Sequence, residues 1–90
     1  MNDLKYITVI MQGMTTRSAI LFRGCITHKE MVPDGSKAVG GGFCRLSVDG
    51  GELNALCYSE AVSLNISSDP VEDGIAVVMT LTRSHSYSIY

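Results

Sequence analysis

Along residues 4 to 12, LKYITVIMQ, Ile7, Val9 and Met11 fall on one face of an extended chain and Tyr6, Thr8 and Ile10 on the other. β-Branched and aromatic side chains dominate, and both faces are partly apolar, which predicts a strand inside a sheet rather than at its edge. After the turn GMTTR, the segment SAILFRG places Ile20 and Phe22 opposite Ala19, Leu21 and Arg23, as the second arm of a hairpin would. Thr27-His28-Lys29-Glu30 fits a capping box: the Thr hydroxyl accepts from the Glu NH while the Glu carboxylate reaches back to the Thr NH. A short helical turn over 28 to 32 is predicted, with Met31 and Val32 buried and His28 and Glu30 exposed in its first turn. Pro33-Asp34-Gly35 ends it.

KAVGGGFCRLSV reads as a strand from its flanks, Val39 on one side and Phe43, Leu46 and Val48 on the other, although glycine weakens a strand interior. Gly40, Gly41 and Gly42 therefore call for a bulge or for close approach of another group, and this is favoured over a ligand. VDGGE is a hairpin signal, with Asp49-Gly50 as a type I′ pair or Gly51 in a bulge. From Leu53 the alternation runs on towards Ile66, with Val62, Leu64 and Ile66 inward, Ala61, Ser63 and Asn65 outward, and a bulge or turn at Ser59-Glu60. Asp69 as N-cap, Pro70 at the first helical position and Glu72 and Asp73 in the first turn announce a helix over 70 to 82. Its apolar face is expected to be Val71, Ile75, Val78, Met79 and Thr82. IAVVMTLTR also alternates as a strand would, and the cap decides for the helix. SHSYSIY follows as a polar and aromatic tail. The elements together predict one α+β domain over residues 1 to 90: a mostly antiparallel sheet of about five strands, a short helical turn, and one C-terminal helix packed on one face.

Composition changes this picture in three ways. In a chain of 90 residues, 46% are hydrophobic and only 18% charged, against roughly 25% charged in soluble domains generally. So little charge points to self-association, and a first strand apolar on both sides suggests a symmetric dimer through a sheet face or an edge strand. A net charge of −2 with no basic run removes the counterion-release force behind nucleic-acid binding. No apolar run approaches the ~20 residues of a membrane span, and Met1-Asn2-Asp3-Leu4 lacks the layout of a signal peptide, so a cytoplasmic location is expected, without nucleic-acid or membrane partners. An odd count of three cysteines, Cys25, Cys44 and Cys57, each among apolar neighbours, reads as buried thiols rather than disulfides.

Taken in order and spacing, ITHKEM, VGGGFCRL and CYSEAVSLNISSDPVED resemble short proteins of unknown activity carried by prophages and other mobile elements, over about two thirds of the chain. The resemblance brings no catalytic or binding residues with it. It implies a habit, that of binding a host protein or another copy of the same chain.

Chemistry-bearing residues are then weighed one by one. Cys25-x-x-His28 with Cys44 and Cys57 could supply zinc ligands, but only one tight pair is present where such sites use two. His28 and Glu30 could serve Cys25 or Cys44 as base and orienting acid, yet no nucleophile motif surrounds them. GGGFC has neither the Gly-Lys-Ser/Thr of a phosphate loop nor a dinucleotide fingerprint. Arg17, Arg23 and Arg45 could gather with Tyr58 and Glu60 as a polar recognition patch. Met11, Met31 and Met79 read as adaptable core. The sequence thus favours a non-catalytic interaction module that self-associates and recognises a protein or small ligand, with no cofactor and no metal. Its candidate binding residues are Arg23, His28, Glu30, Arg45, Tyr58 and Glu60. The alternatives are a small-molecule-binding domain, with a pocket opened by the glycines, and a small metal- or thiol-dependent enzyme using His28, Glu30 and nearby cysteines.

Overall fold

The first strand, β1 (Leu4–Ile10), pairs on both sides, as its two apolar faces require. Its neighbours are β2 (Ser18–Phe22), joined by the 11 to 17 turn, and β3 (Lys37–Asp49), which returns after a crossover holding a short 3-10 turn at Lys29–Met31. β3 continues through a hairpin into β4 (Glu52–Tyr58), so the antiparallel sheet runs β2-β1-β3-β4. A second, two-stranded sheet is formed by β5 (Glu60–Ala61) and β6 (Ile66–Ser67), and the helix α1 (Pro70–Arg83) follows. This is the α+β architecture the pattern predicts, in a computed structural model describing residues 3 to 83. The expected tail of Ser84 to Tyr90 lies outside the described residues.

Side chains on the two faces of the four-stranded sheet enter two separate cores. Tyr6, Ala19, Leu21, Cys44 and Cys57 pack against Ala76, Val77 and Leu81 of the helix. Ile7, Val9 and Phe22 point the other way and are covered by Ile26, Met31, Val32 and Leu64 from the crossover and the small sheet. Both faces of β1 are therefore covered within one chain, so the sheet face expected to drive self-association is already occupied. Among the described residues, the edge strands β2 and β4 are those with a free side in the four-stranded sheet.

Three local devices determine this arrangement. Asp49 pairs with Glu52 across the two-residue loop Gly50-Gly51, whose φ values of 60° and 87° are those a type I′ turn needs, so the turn pair is one residue later than the Asp-Gly reading. At Ser59 the backbone takes φ 67° and the strand breaks. That break reverses the expected phase at Ala61, which is fully buried, and at Val62, which is 76% exposed, whereas Leu64 packs inward and Ser63 and Asn65 are exposed as expected.

The third device is the glycine run. Register slips between Thr8 and Val9, which oppose Gly40 and Ala38, leaving Val39 as an extra residue in β3. A Cβ on Gly40 would lie against both carboxylate oxygens of Asp73 and the hydroxyl of Thr8, and one on Gly41 would meet the Cβ of Ala61 at 2.8 Å. The glycines thus admit a helix side chain on one face and the small sheet on the other, and the space does not hold a ligand.

The helix forms where its cap predicts, with the Glu72 NH donating to Asp69 Oδ1 at 3.2 Å, but it is rotated from the expected face. Asp73, Gly74, Ala76, Val77 and Leu81 are buried, while Val71, Ile75 and Met79 are 69%, 52% and 46% exposed. Close approach explains the rotation, because a Cβ on Gly74 would lie 3.1 Å from the carbonyl oxygen of Ala55. A small residue must face the sheet at Gly74, with Val77 and Leu81 filling the core further along, and Val71, Ile75 and Met79 turn outward. Met11, read as core, is likewise at the surface.

Gly40→Ala is expected to destabilise the protein by about 2–4 kcal/mol, since the added methyl must displace either the Asp73 carboxylate or the Thr8 hydroxyl from its hydrogen bonds. Urea unfolding followed by circular dichroism measures this, and a loss below about 1 kcal/mol would contradict the packing described.

Candidate functional site

Asp73 is the most deeply buried charged side chain described, at 0% exposure. It projects from the first turn of α1 into the notch above Gly40. Oδ1 accepts from Thr8 Oγ1 and from an Arg17 guanidinium nitrogen, both at 2.8 Å. Oδ2 accepts from Tyr6 Oη at 2.6 Å and from the Asp69 NH at 2.9 Å. Each oxygen already holds two donors, so neither is left over to take a proton from a ligand. The Tyr6 hydroxyl is held well above its ordinary pKa, first by burial and then by donating to this carboxylate, and it stays a donor. The cluster ties helix, β1 and the 11 to 17 turn together, and its chemistry is structural.

Arg17 forms the outer edge of that cluster and also lines a cavity of about 300 Å³ between the turn and the helix. Ile10, Ile75, Ala76 and Met79 give this cavity apolar walls, and Glu72 and Arg83 mark its two ends along the helix. A second, shallower groove of about 420 Å³ runs along the other flank of the same exposed helix stripe, past Leu53, Asn54 and Ala55 of β4. Val71, Ile75 and Met79 therefore form a ridge between two grooves. Sequence reasoning missed this surface because it assigned these residues to the core. The signal available was Gly74 and Ala76, whose small size marks a closely packed helix face.

The six residues singled out from the sequence fall into separate places. His28 is buried rather than exposed: its ring meets Phe22 and Phe43 edge-on, at centroid distances of 5.2 and 5.8 Å, and Nε2 donates to the Gly42 carbonyl at 2.7 Å. Capture by the aromatic pair, which the local pattern did not encode, draws it in. Glu30 makes the reciprocal capping-box bonds with Thr27, at 2.7 and 3.3 Å. Arg45 and Tyr58 come together through Asp3: the Arg45 Nε donates to Oδ1 at 2.9 Å and the Tyr58 hydroxyl donates to Oδ2. Tyr58 also stacks on Phe43 at 6.1 Å. Glu60 lines a shallow depression of about 210 Å³ with Lys5, His28 and Phe43. Arg23 is exposed just beyond the end of β2, and Arg17 is drawn away to Asp73, so the three arginines do not form one patch.

The cysteines divide similarly. Cys44 and Cys57 face each other across β3 and β4 on the helix side of the sheet, whereas His28 packs with Phe22 on the opposite side. Cys25 is exposed, correcting its assignment to the core. Among the described residues no group of three or more His, Cys, Asp or Glu side chains is placed to hold a metal ion. Burial pushes the Cys44 and Cys57 thiols up to about 12 and about 11, disfavouring the thiolate that nucleophilic chemistry would need. No protein-family model, no curated protein and no solved structure matches this chain.

Three outcomes are expected. Asp73→Asn should cost about 3 kcal/mol or more, because it strands the Arg17 charge and turns an amide donor towards groups that are themselves donors; Tyr6→Phe should cost about 1–2 kcal/mol. Chemical unfolding of both variants gives the comparison, and equal, small losses would contradict the network. The folded thiols titrate above the ordinary value of 9.0, so the unfolded chain gives up its protons first as pH rises. Their contribution to stability is full below about pH 9 and is lost progressively towards pH 11 to 12. A thiol reagent at pH 8 should modify Cys25 alone until denaturant is added, and rapid labelling of all three in the native protein would contradict this burial.

Proposed function

We propose that this protein is a non-catalytic interaction module that self-associates and recognises a protein partner through the exposed face of α1. The observation that carries this reading is the orientation of the helix, which buries Asp73, Gly74 and Ala76 and leaves Val71, Ile75 and Met79 in water. Each large apolar side chain brought from water into a contact contributes about 1.5–3 kcal/mol, so a stripe of three supplies a substantial driving force for association. Reactive side chains elsewhere have structural employment: Asp73 in its four-donor cluster, His28 between two aromatic rings, and Cys44 and Cys57 as buried thiols. A charged fraction of only 18% is in keeping with a surface that is partly covered in use. The resemblance to short mobile-element proteins agrees with a role in binding a host protein or another copy.

A second reading rests on the cavity beside Arg17. Its apolar walls with Arg17 and Arg83 at the margin suit a small amphipathic anion, and such a ligand would raise the unfolding temperature in a thermal-shift screen of carboxylates and phosphates.

Light scattering coupled to size-exclusion chromatography is expected to give a mass above that of one 9.7 kDa chain, rising with concentration through the micromolar range. A constant monomer mass at several hundred micromolar would overturn self-association.

A further inference from the structure

We propose that the second copy docks by antiparallel pairing of α1 with its own symmetry mate, Ile75 of each chain against Met79 of the other and Glu72 against Arg83; this rests on the self-association proposed above. The argument starts from the order of residues along the exposed helix surface. Val71, Ile75 and Met79 recur every four residues and form a single ridge with a groove on either flank, the geometry in which one helix ridge seats in the groove of another. One flank begins with an acidic side chain, Glu72, and ends with a basic one, Arg83. Among the described residues neither of these enters an ion pair within its own chain.

A two-fold axis perpendicular to the helix at the level of residue 77 brings each side chain opposite a partner of matching kind. Positions equidistant from that level are exchanged, so Ile75 and Met79 meet reciprocally. Glu72 comes within one residue, or about 1.5 Å along the axis, of the level of Arg83 from the second copy. The surface is thus complementary to itself in both shape and charge, as a two-fold interface requires. Parallel pairing would instead set Glu72 against Glu72 and Arg83 against Arg83. The antiparallel arrangement also places the positive end of each helix dipole beside the negative end of the other. Ion pairs at an exposed rim contribute modestly, and their role here is to fix orientation while the apolar ridge supplies affinity.

Charge reversal distinguishes this arrangement from other modes of association. Sedimentation equilibrium of the full chain is expected to show at least tenfold weaker self-association for Glu72→Arg and for Arg83→Glu, and restoration to within about threefold of the parent in the double variant. Ile75→Lys should abolish association while leaving the circular dichroism spectrum and unfolding midpoint close to the parent, because position 75 is exposed. Leu56→Lys, on the edge strand β4, should leave association unchanged. A parent protein that dimerises with all three helix variants unaffected, or a dimer lost on Leu56→Lys, would overturn helix pairing while leaving self-association standing. A parent protein that stays monomeric would overturn both.

Discussion

A single carboxylate organises this molecule. Asp73 has left water entirely, and a buried charge is tolerated only where enough donors replace its hydration. The replacements come from across the chain: two side chains of β1, an arginine from the following turn, and the backbone NH at the start of the helix itself. Because the acceptor is carried by α1 and most donors by the sheet and its turn, satisfying the charge fixes where the helix lies and how it is rotated. Gly40 belongs to the same constraint, since any side chain there would occupy the space of the carboxylate.

What the helix shows to solvent follows from that rotation. With Asp73 inward and Gly74 against the Ala55 carbonyl, the helix turns to the sheet a side that is small at Gly74 and Ala76 and apolar at Val77 and Leu81. Hydrophobicity alone would choose the opposite face, the one carrying Val71, Ile75 and Met79. The polar cluster and the close backbone approach prevail, and the displaced apolar stripe is left in contact with water. The same constraint that secures the fold therefore generates the feature from which we infer the function. The far side of the sheet is a contrast: there the crossover and the small sheet cover Ile7, Val9 and Phe22, and His28 is held edge-on between two aromatic rings.

The local signals that proved legible share a short range. The capping box at Thr27 and Glu30, the N-cap at Asp69 and the hairpin around Gly50 each depend on residues within about four positions, and each forms. The interior character of β1 was also readable, because two apolar faces leave a strand nowhere else to go. Positions whose fate depends on distant partners escape the local pattern. Alternation points Val62 inward, but the left-handed Ser59 shifts the phase there, and the capping-box pattern leaves His28 at the surface, but Phe22 and Phe43 enclose it. Of the proposed polar patch, Arg45 and Tyr58 do meet, but through Asp3, whereas Arg17 is taken by Asp73.

Sequence alone determined the class of this fold, its antiparallel hairpins, its capped terminal helix and the need for something to fill the glycine strand. Each of these follows from periodicity, turn chemistry or the absence of a side chain, and such properties are encoded locally. Tertiary structure decided which face of the helix is buried, and so which residues remain exposed to solvent. That choice depends on a carboxylate finding four donors separated from it by between 4 and 67 positions in the chain, a balance of desolvation against long-range hydrogen bonding that no local pattern of apolar residues expresses.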